Sequence, residues 1–108
     1  VRFQCDTRDI YVRKSVYIAG NHELLGNWTP NKVKMHDDGT HGDEKPGDGV
    51  WTLEIQIPPG LEIEYKFTNS GAEGSWNPGE EFSSLNRRTK IEKKAGDVMI
   101  LRDRFGKM

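Results

Sequence analysis

Two runs of strict alternation, VWTLEIQI over residues 50–57 and LEIEYKFT over residues 61–68, are separated only by Pro58-Pro59-Gly60. A period of two puts Trp51, Leu53, Ile55 and Ile57 on one face of a strand, with Thr52, Glu54 and Gln56 on the other. In the second run Leu61, Ile63, Tyr65 and Phe67 face inward, and Glu62, Glu64, Lys66 and Thr68 face outward. Proline presets the turn and glycine tolerates a positive φ, so the spacing predicts a β-hairpin that reverses at Pro58-Pro59-Gly60. Each strand then carries one apolar face that must be buried. Trp51, in phase with Leu53 and Ile55, is expected in the core or at its edge.

The remainder of the chain reads as strands and turns. Val1, Phe3 and Cys5 alternate with polar neighbours, and Ile10, Val12 and then Val16, Ile18 resume after short charged breaks, which predicts two early strands. Val16 and Ile18 share one phase while Tyr17 points to the opposite face. Residues 32–36, KVKMH, form a short strand with Val33 and Met35 on one side. Residues 37–49 (DDGTHGDEKPGDG) and 69–85 are too polar and too rich in glycine to be other than long surface loops. Arg87 to Glu92 and Val98 to Asp103 are the expected closing strands, with Ala95-Gly96-Asp97 turning between them. No stretch of ten residues has helical periodicity. Short strands with closely spaced turn signals predict an all-β antiparallel sandwich or open barrel, and 108 residues make one domain, 1–108.

Several function classes lose support at once. Bases and acids nearly cancel at a net charge of -1, and no Lys/Arg cluster is interleaved with aromatics, which argues against a nucleic-acid partner. No membrane-length apolar run or cleavable signal is present. The chain starts directly in strand-like sequence and reads as a domain of a larger protein. Cys5, the single cysteine, is expected as a small core residue, and no Cys/His set has zinc-ligand spacing. Asp37, Asp38, Asp43, Glu44 and Asp48 offer the hard oxygen ligands that calcium takes, but not at the spacing of a twelve-residue calcium loop, so no metal site is assigned. There is no P-loop, no nucleotide-binding glycine fingerprint, no nucleophile elbow and no motif for a cofactor. The acids lie on outward strand faces or in polar loops, which a solvated surface explains, and His22, His36 and His41 are dispersed. Catalysis by this chain is not expected.

What remains is a pair of isolated aromatic rings. Trp28 stands in Gly26-Asn27-Trp28-Thr29-Pro30 and Trp76 between Gly74-Ser75 and Asn77-Pro78, among residues that cannot bury an indole. The apolar face of a pyranose presents C–H bonds to the negative face of an indole, so flat stacking hides apolar area and adds an electrostatic attraction. The sugar hydroxyls then need polar partners at the rim. Lys66, on the outward face of its strand, is a suitable donor, and Asn77 and Asn86 can both donate and accept.

The run VYIAGNHELLGNWTPN, the VW opening the long strand, PPGLEIEYKF, the later loop tryptophan and the NRR before a closing strand together resemble the starch-binding domains of carbohydrate-binding module family 20. The likeness covers about residues 14 to 92. It implies an immunoglobulin-like antiparallel β-sandwich that binds α-1,4-glucans such as starch, glycogen, maltooligosaccharides or cyclodextrins without cleaving them. It also implies a sugar site on Trp28 and Trp76 assisted by Lys66 and Asn86. The gap from Trp76 to Asn86 is longer than the family pattern, which brings in Asn77 and Glu80 as substitutes. Tyr17 matches one tyrosine of the family's second site, whose partner position falls in the acidic loop where this chain has no aromatic. The implied setting is fusion to an amylase or glucanotransferase, secreted with that enzyme and holding it close to the polymer. A structural spacer domain and a small sugar-acting enzyme using loop carboxylates are the rival readings.

Overall fold

Seven strands form two sheets packed face to face in the computed structural model, which describes residues 1–39, 45–76, 79, 81, 86–92 and 99–107. They are β1 (Arg2–Asp6), β2 (Val16–Gly20), β3 (Val33–Lys34), β4 (Val50–Glu54), β5 (Glu62–Asn69), β6 (Arg87–Lys90) and β7 (Ile100–Arg104). A 3-10 segment, Glu23–Trp28, lies between β2 and β3. One sheet has the order β4-β1-β7 and the other β3-β2-β5-β6. Four of the five strand pairings are antiparallel, and β1 pairs with β7 in parallel, Arg2 opposite Ile100 and Asp6 opposite Arg104. The expected β-sandwich is therefore present, with one parallel pairing that the sequence pattern did not signal.

The alternating runs report faces correctly and pairing incorrectly. β4 hydrogen-bonds to β1, whereas β5 bonds to β2 and β6 in the other sheet, so residues 55–61 form an arch between sheets and not a hairpin. Strands facing each other across a core bury the same alternate residues as strands paired side by side, so period alone does not choose a partner. Pro58 and Pro59 carry no N–H for a ladder. The arch is tied instead by Ile55 N–H to the Val1 carbonyl (2.9 Å), Gly60 N–H to Ile91 (2.7 Å) and Ile91 N–H to Leu61 (2.8 Å). Leu61 lies on that arch, outside β5, and is exposed rather than inward.

The same sheet assignment separates the closing strands. β6 and β7 belong to different sheets, and the expected turn at residues 95–97 falls outside the described residues. Ile10 and Val12 lie outside any strand. Val33 and Lys34 pair with β2, while His36 bridges to Thr52 of β4, so this short segment also passes from one sheet to the other.

Between the sheets lie Phe3 and Cys5 of β1, Val16 and Ile18 of β2, Leu53 of β4, and Ile63, Tyr65 and Phe67 of β5, joined by Leu25, Met35 and Ile91. Phe3 meets Tyr65 edge-on at 5.1 Å between ring centroids, and Tyr65 meets Phe67 at 5.8 Å, the favoured geometry for aromatic pairs. Burial pushes the Cys5 thiol pKa up, as expected of a core residue. Trp51 packs against this core while remaining half-buried, at the core edge. Trp51→Ala should cost about 2–4 kcal/mol of stability, read from urea unfolding, with little change in ligand binding.

An ionic cluster closes the sandwich at one end. Tyr65 Oη donates to Asp103 Oδ2 at 2.6 Å, which ties β5 to β7. Arg87 of β6 donates to both carboxylates, Glu81 and Asp103, and to the carbonyls of Arg104 (2.9 Å) and Lys107 (2.8 Å). Gly106 N–H donates to Glu81 Oε2 at 2.7 Å, and the Arg87 guanidinium lies 5.4 Å from the Phe67 ring. Burial opposes the charge on Arg87, but its hydrogen bond and attraction to Glu81 outweigh this and raise its pKa. Burial and then the bond to Asp103 raise the pKa of Tyr65, which stays protonated as a donor.

Candidate functional site

The outer face of the four-stranded sheet is where the two loop tryptophans come together. Their ring centroids lie 6.4 Å apart with planes inclined at 51°, and both rings are half-buried. Specific contacts hold each loop in this position.

Trp28 ends the 3-10 segment. The His22 side chain accepts from Leu24 N–H at 3.1 Å, and the His22 carbonyl accepts from Leu25 and Asn27, which sets the first turn. Leu25 is fully buried and roots the segment in the core. It packs against Gly20, where an added Cβ would stand 2.7 Å from Leu25 Cδ1 and 2.6 Å from the Glu64 carbonyl oxygen. Gly26, Asn27 and Trp28 then all have positive φ, at 80°, 48° and 63°. Glycine and asparagine tolerate this region, but a bulky ring there costs about 1–3 kcal/mol, so the fold holds Trp28 in place against a local preference.

Asn31 joins the two loops. It is 5% exposed and itself has a φ of 59°. Its Nδ2 donates to the carbonyls of Ala72 (3.0 Å) and Ser75 (2.8 Å), the latter adjacent to Trp76. Its Oδ1 accepts from Thr68 Oγ1 at 2.7 Å and from Gly71 N–H at 3.3 Å. Gly74 N–H also donates to the Pro30 carbonyl at 2.9 Å. One buried amide thus fastens the Trp76 loop both to the Trp28 loop and to β5. Gly71 has no room for a side chain here, since a Cβ would stand 2.4 Å from Asn31 Nδ2. Asn31→Ala should cost about 2–3 kcal/mol of stability and weaken glucan binding, because it strands the buried Thr68 hydroxyl and releases the Trp76 loop. Unfolding and titration of the same variant measure the two effects.

Lys66 departs from expectation. It lies on the outward face of β5, yet is only 6% exposed, with Nζ 4.6 Å from the Trp76 ring centroid. The two loops fold down over this sheet face and cover Lys66 and Thr68, so the alternation is correct and the inferred exposure is not. The ammonium meets the ring face in a cation–π contact.

Asn86 is exposed and immediately precedes Arg87, the partner of Tyr65, which places it across from Lys66, one residue beyond the end of the antiparallel ladder. Asn77 and Glu80 lie outside the described residues. Tyr17 pairs with Thr68 and Lys34 on the same sheet face as Lys66, and it is half-buried. Tyr11, which sequence reasoning did not single out, is the more open ring at 78% exposure. Asn31 was also missed. Its signal was modest: an asparagine directly after Thr-Pro, a residue type that accepts left-handed φ and bonds nearby backbone.

The arrangement offers two inclined apolar faces, a cation beneath one of them, and an amide at the edge. Among the described residues no group of three or more His, Cys, Asp or Glu side chains could hold a metal ion, and no helix is long and apolar enough to cross a membrane.

Comparison with known proteins gives a consistent set of likenesses. Residues 1–97 match the sequence model of a family described as the starch binding domain. Over 101 residues the chain is 30% identical to an α-amylase of Streptomyces violaceus, covering 92% of this chain and 15% of that protein. It is 28% identical over 83 residues to a cyclomaltodextrin glucanotransferase of Geobacillus stearothermophilus, covering 73% of this chain and 11% of that one. Among solved structures, the family 20 carbohydrate-binding module of the maltotetraose-forming amylase from Pseudomonas saccharophila STB07 superposes with a TM-score of 0.61 at 24% identity, covering 96% of this chain and 97% of that one. The family 15 glucoamylase from Hypocrea jecorina gives a TM-score of 0.70 at 22% identity, covering 96% of this chain and 16% of that one. The chain thus spans between a tenth and a sixth of the length of these curated relatives.

Proposed function

The chain belongs to the starch-binding domain family, a family of non-catalytic carbohydrate-binding modules, and on that premise we propose that it binds α-1,4-glucan by stacking sugar rings on Trp28 and Trp76. The convergence of the two indoles supports this reading most directly. Planes inclined at 51° suit successive units of a glucan chain that bends, since neighbouring rings of a coiled α-1,4 chain are themselves inclined. Lys66 contributes from beneath, where its ammonium meets the face of the Trp76 ring and helps to hold that ring in position. Asn86, with Asn77 and Glu80 of the same loop region, supplies partners for the equatorial hydroxyls. Tyr17, on the same sheet face as Lys66, is the ring available for further sugar contact there, and the more open Tyr11 is a second exposed ring.

The biological role that follows is targeting. In this reading the domain is joined to an amylase-type enzyme, is secreted with it, and keeps the catalytic site close to polysaccharide, so that a modest affinity raises the effective substrate concentration. Isothermal titration with β-cyclodextrin tests the binding: saturable heat with a tryptophan fluorescence change supports it, and neither response would identify a structural spacer. Release of reducing sugar from soluble starch by the chain alone would instead identify an enzyme.

A further inference from the structure

The opposite face of the sandwich carries a polar cavity of about 400 Å³, within the range of about 300–1,000 Å³ found for small-molecule sites. It opens on the outer side of the three-stranded sheet, where Gln4 of β1 stands between Thr52 of β4 and Arg102 of β7. Phe3 and Cys5 on either side of Gln4 point into the core, so Gln4 faces away from it. The Gln4 side chain has no hydrogen bond with any described residue, although Gln4 is only 8% exposed. Beside it, across the β1–β4 pair, the Thr52 hydroxyl is fully buried and has no partner among the described residues. Buried hydroxyls are nearly always bonded, so an unsatisfied one beside a mostly buried, unbonded glutamine at the floor of one cavity calls for a physical explanation.

The surrounding charges define what would satisfy them. Three arginines, Arg8, Arg102 and Arg104, are matched by three carboxylates, Asp6, Asp48 and Asp103, so the lining carries no net charge. Asp6 is gripped by Arg8 through two hydrogen bonds of 3.0 and 2.7 Å, which hold its carboxyl down to about 2, and it stays ionised. An incoming anion would meet fixed carboxylates, and an apolar ligand would leave Gln4 unbonded. Arg102, exposed and without an ion pair among the described residues, adds donors in a planar fork. Planar amide and guanidinium groups beside ionised carboxylates match the adjacent donor-and-acceptor hydroxyls of a sugar.

We propose that this cavity is an additional carbohydrate site, taking neutral pyranose units by hydrogen bonding to Gln4, Arg102 and the flanking Asp6–Arg8 pair, with no aromatic platform. This rests on the reading of the domain as a glucan binder and extends it to a second face. Engagement on both faces would let one domain bridge two glucan strands or gain avidity on one granule.

Amide NMR spectra of the 108-residue chain titrated with maltose test the inference. The expected result is saturable shifts at Gln4, Thr52 and Arg102 that persist in a Trp28→Ala/Trp76→Ala variant. Gln4→Met and Arg102→Ala should each weaken that response about tenfold. Arg102 is exposed and has no ion pair among the described residues, so its loss leaves the fold intact, and Gln4→Met removes an amide unbonded among those residues at little cost to stability. Shifts confined to the Trp28 and Trp76 face would overturn this inference and leave the main reading standing, whereas no shift anywhere would remove both. Shifts at the cavity with inorganic phosphate but none with maltose would replace the sugar by an anion.

Discussion

Trp76→Ala should lower affinity for β-cyclodextrin by about 30-fold or more, a loss of about 2 kcal/mol or greater, and Trp28→Ala should do the same. Each ring offers its partner half of a platform, so removing one leaves a single plane and uncovers Lys66 beneath it. Isothermal titration of the two variants gives the affinities, and thermal unfolding gives the control. Both rings are half-buried on loops outside the core, so the unfolding temperature should move by a few degrees at most. Trp28 also sits at a φ of 63°, and Trp28→Gly would relieve that strain while abolishing stacking, separating the two roles of the position. Intact affinity combined with a large drop in unfolding temperature would assign the indoles to packing.

The second large effect belongs to Arg87. Arg87→Met should destabilise the domain by about 3–5 kcal/mol, because it leaves Glu81 and Asp103 as uncompensated carboxylates and strands the carbonyls of Arg104 and Lys107. Domains of this size have total stabilities of about 5–15 kcal/mol, so the variant stands near the limit of folding. Urea unfolding measures the loss. The double variant Arg87→Met/Glu81→Leu should recover part of it, since the stranded charge and not the lost attraction makes up most of the cost. A single variant as stable as the parent chain would show that solvent already compensates these groups.

The sequence disclosed the faces of strands far better than their partners. The alternation of residues 61–68 identified the inward set Ile63, Tyr65 and Phe67 because a half-buried strand imposes period two. It could not reveal that β4 and β5 face each other across the core, since both arrangements hide the same side chains. The closing strands were misjudged for the same reason: adjacency along the chain suggested a pair, and β6 and β7 lie in opposite sheets.

At the candidate site, Trp28 and Trp76 were conspicuous because glycine, asparagine and proline around them offer no burial. Their approach depends on Asn31, whose four bonds join segments some forty residues apart, and no local pattern encodes so remote a partner. The burial of Lys66 was hidden likewise, because the loops that cover it are held there by that same amide. Thr52, polar and in the outward phase, was expected in solvent and is instead enclosed beside His36 and Gln4.

The place of β1 has a consequence for how the domain comes into being on the ribosome. It is the middle strand of its sheet, yet both its neighbours, β4 and β7, are synthesised much later, and the last of them closes the parallel ladder from Arg2–Ile100 to Asp6–Arg104. Before β4 is made β1 has two bare edges, and the edge that β7 will cover stays bare until residues 100–104 appear; joining them requires a loop of nearly one hundred residues to close, a step that slows folding and leaves one strand edge uncovered. The nascent polypeptide therefore cannot complete this sheet piecemeal; its maturation is gated by its final strand, and chaperones that shield extended apolar segments would act in that interval.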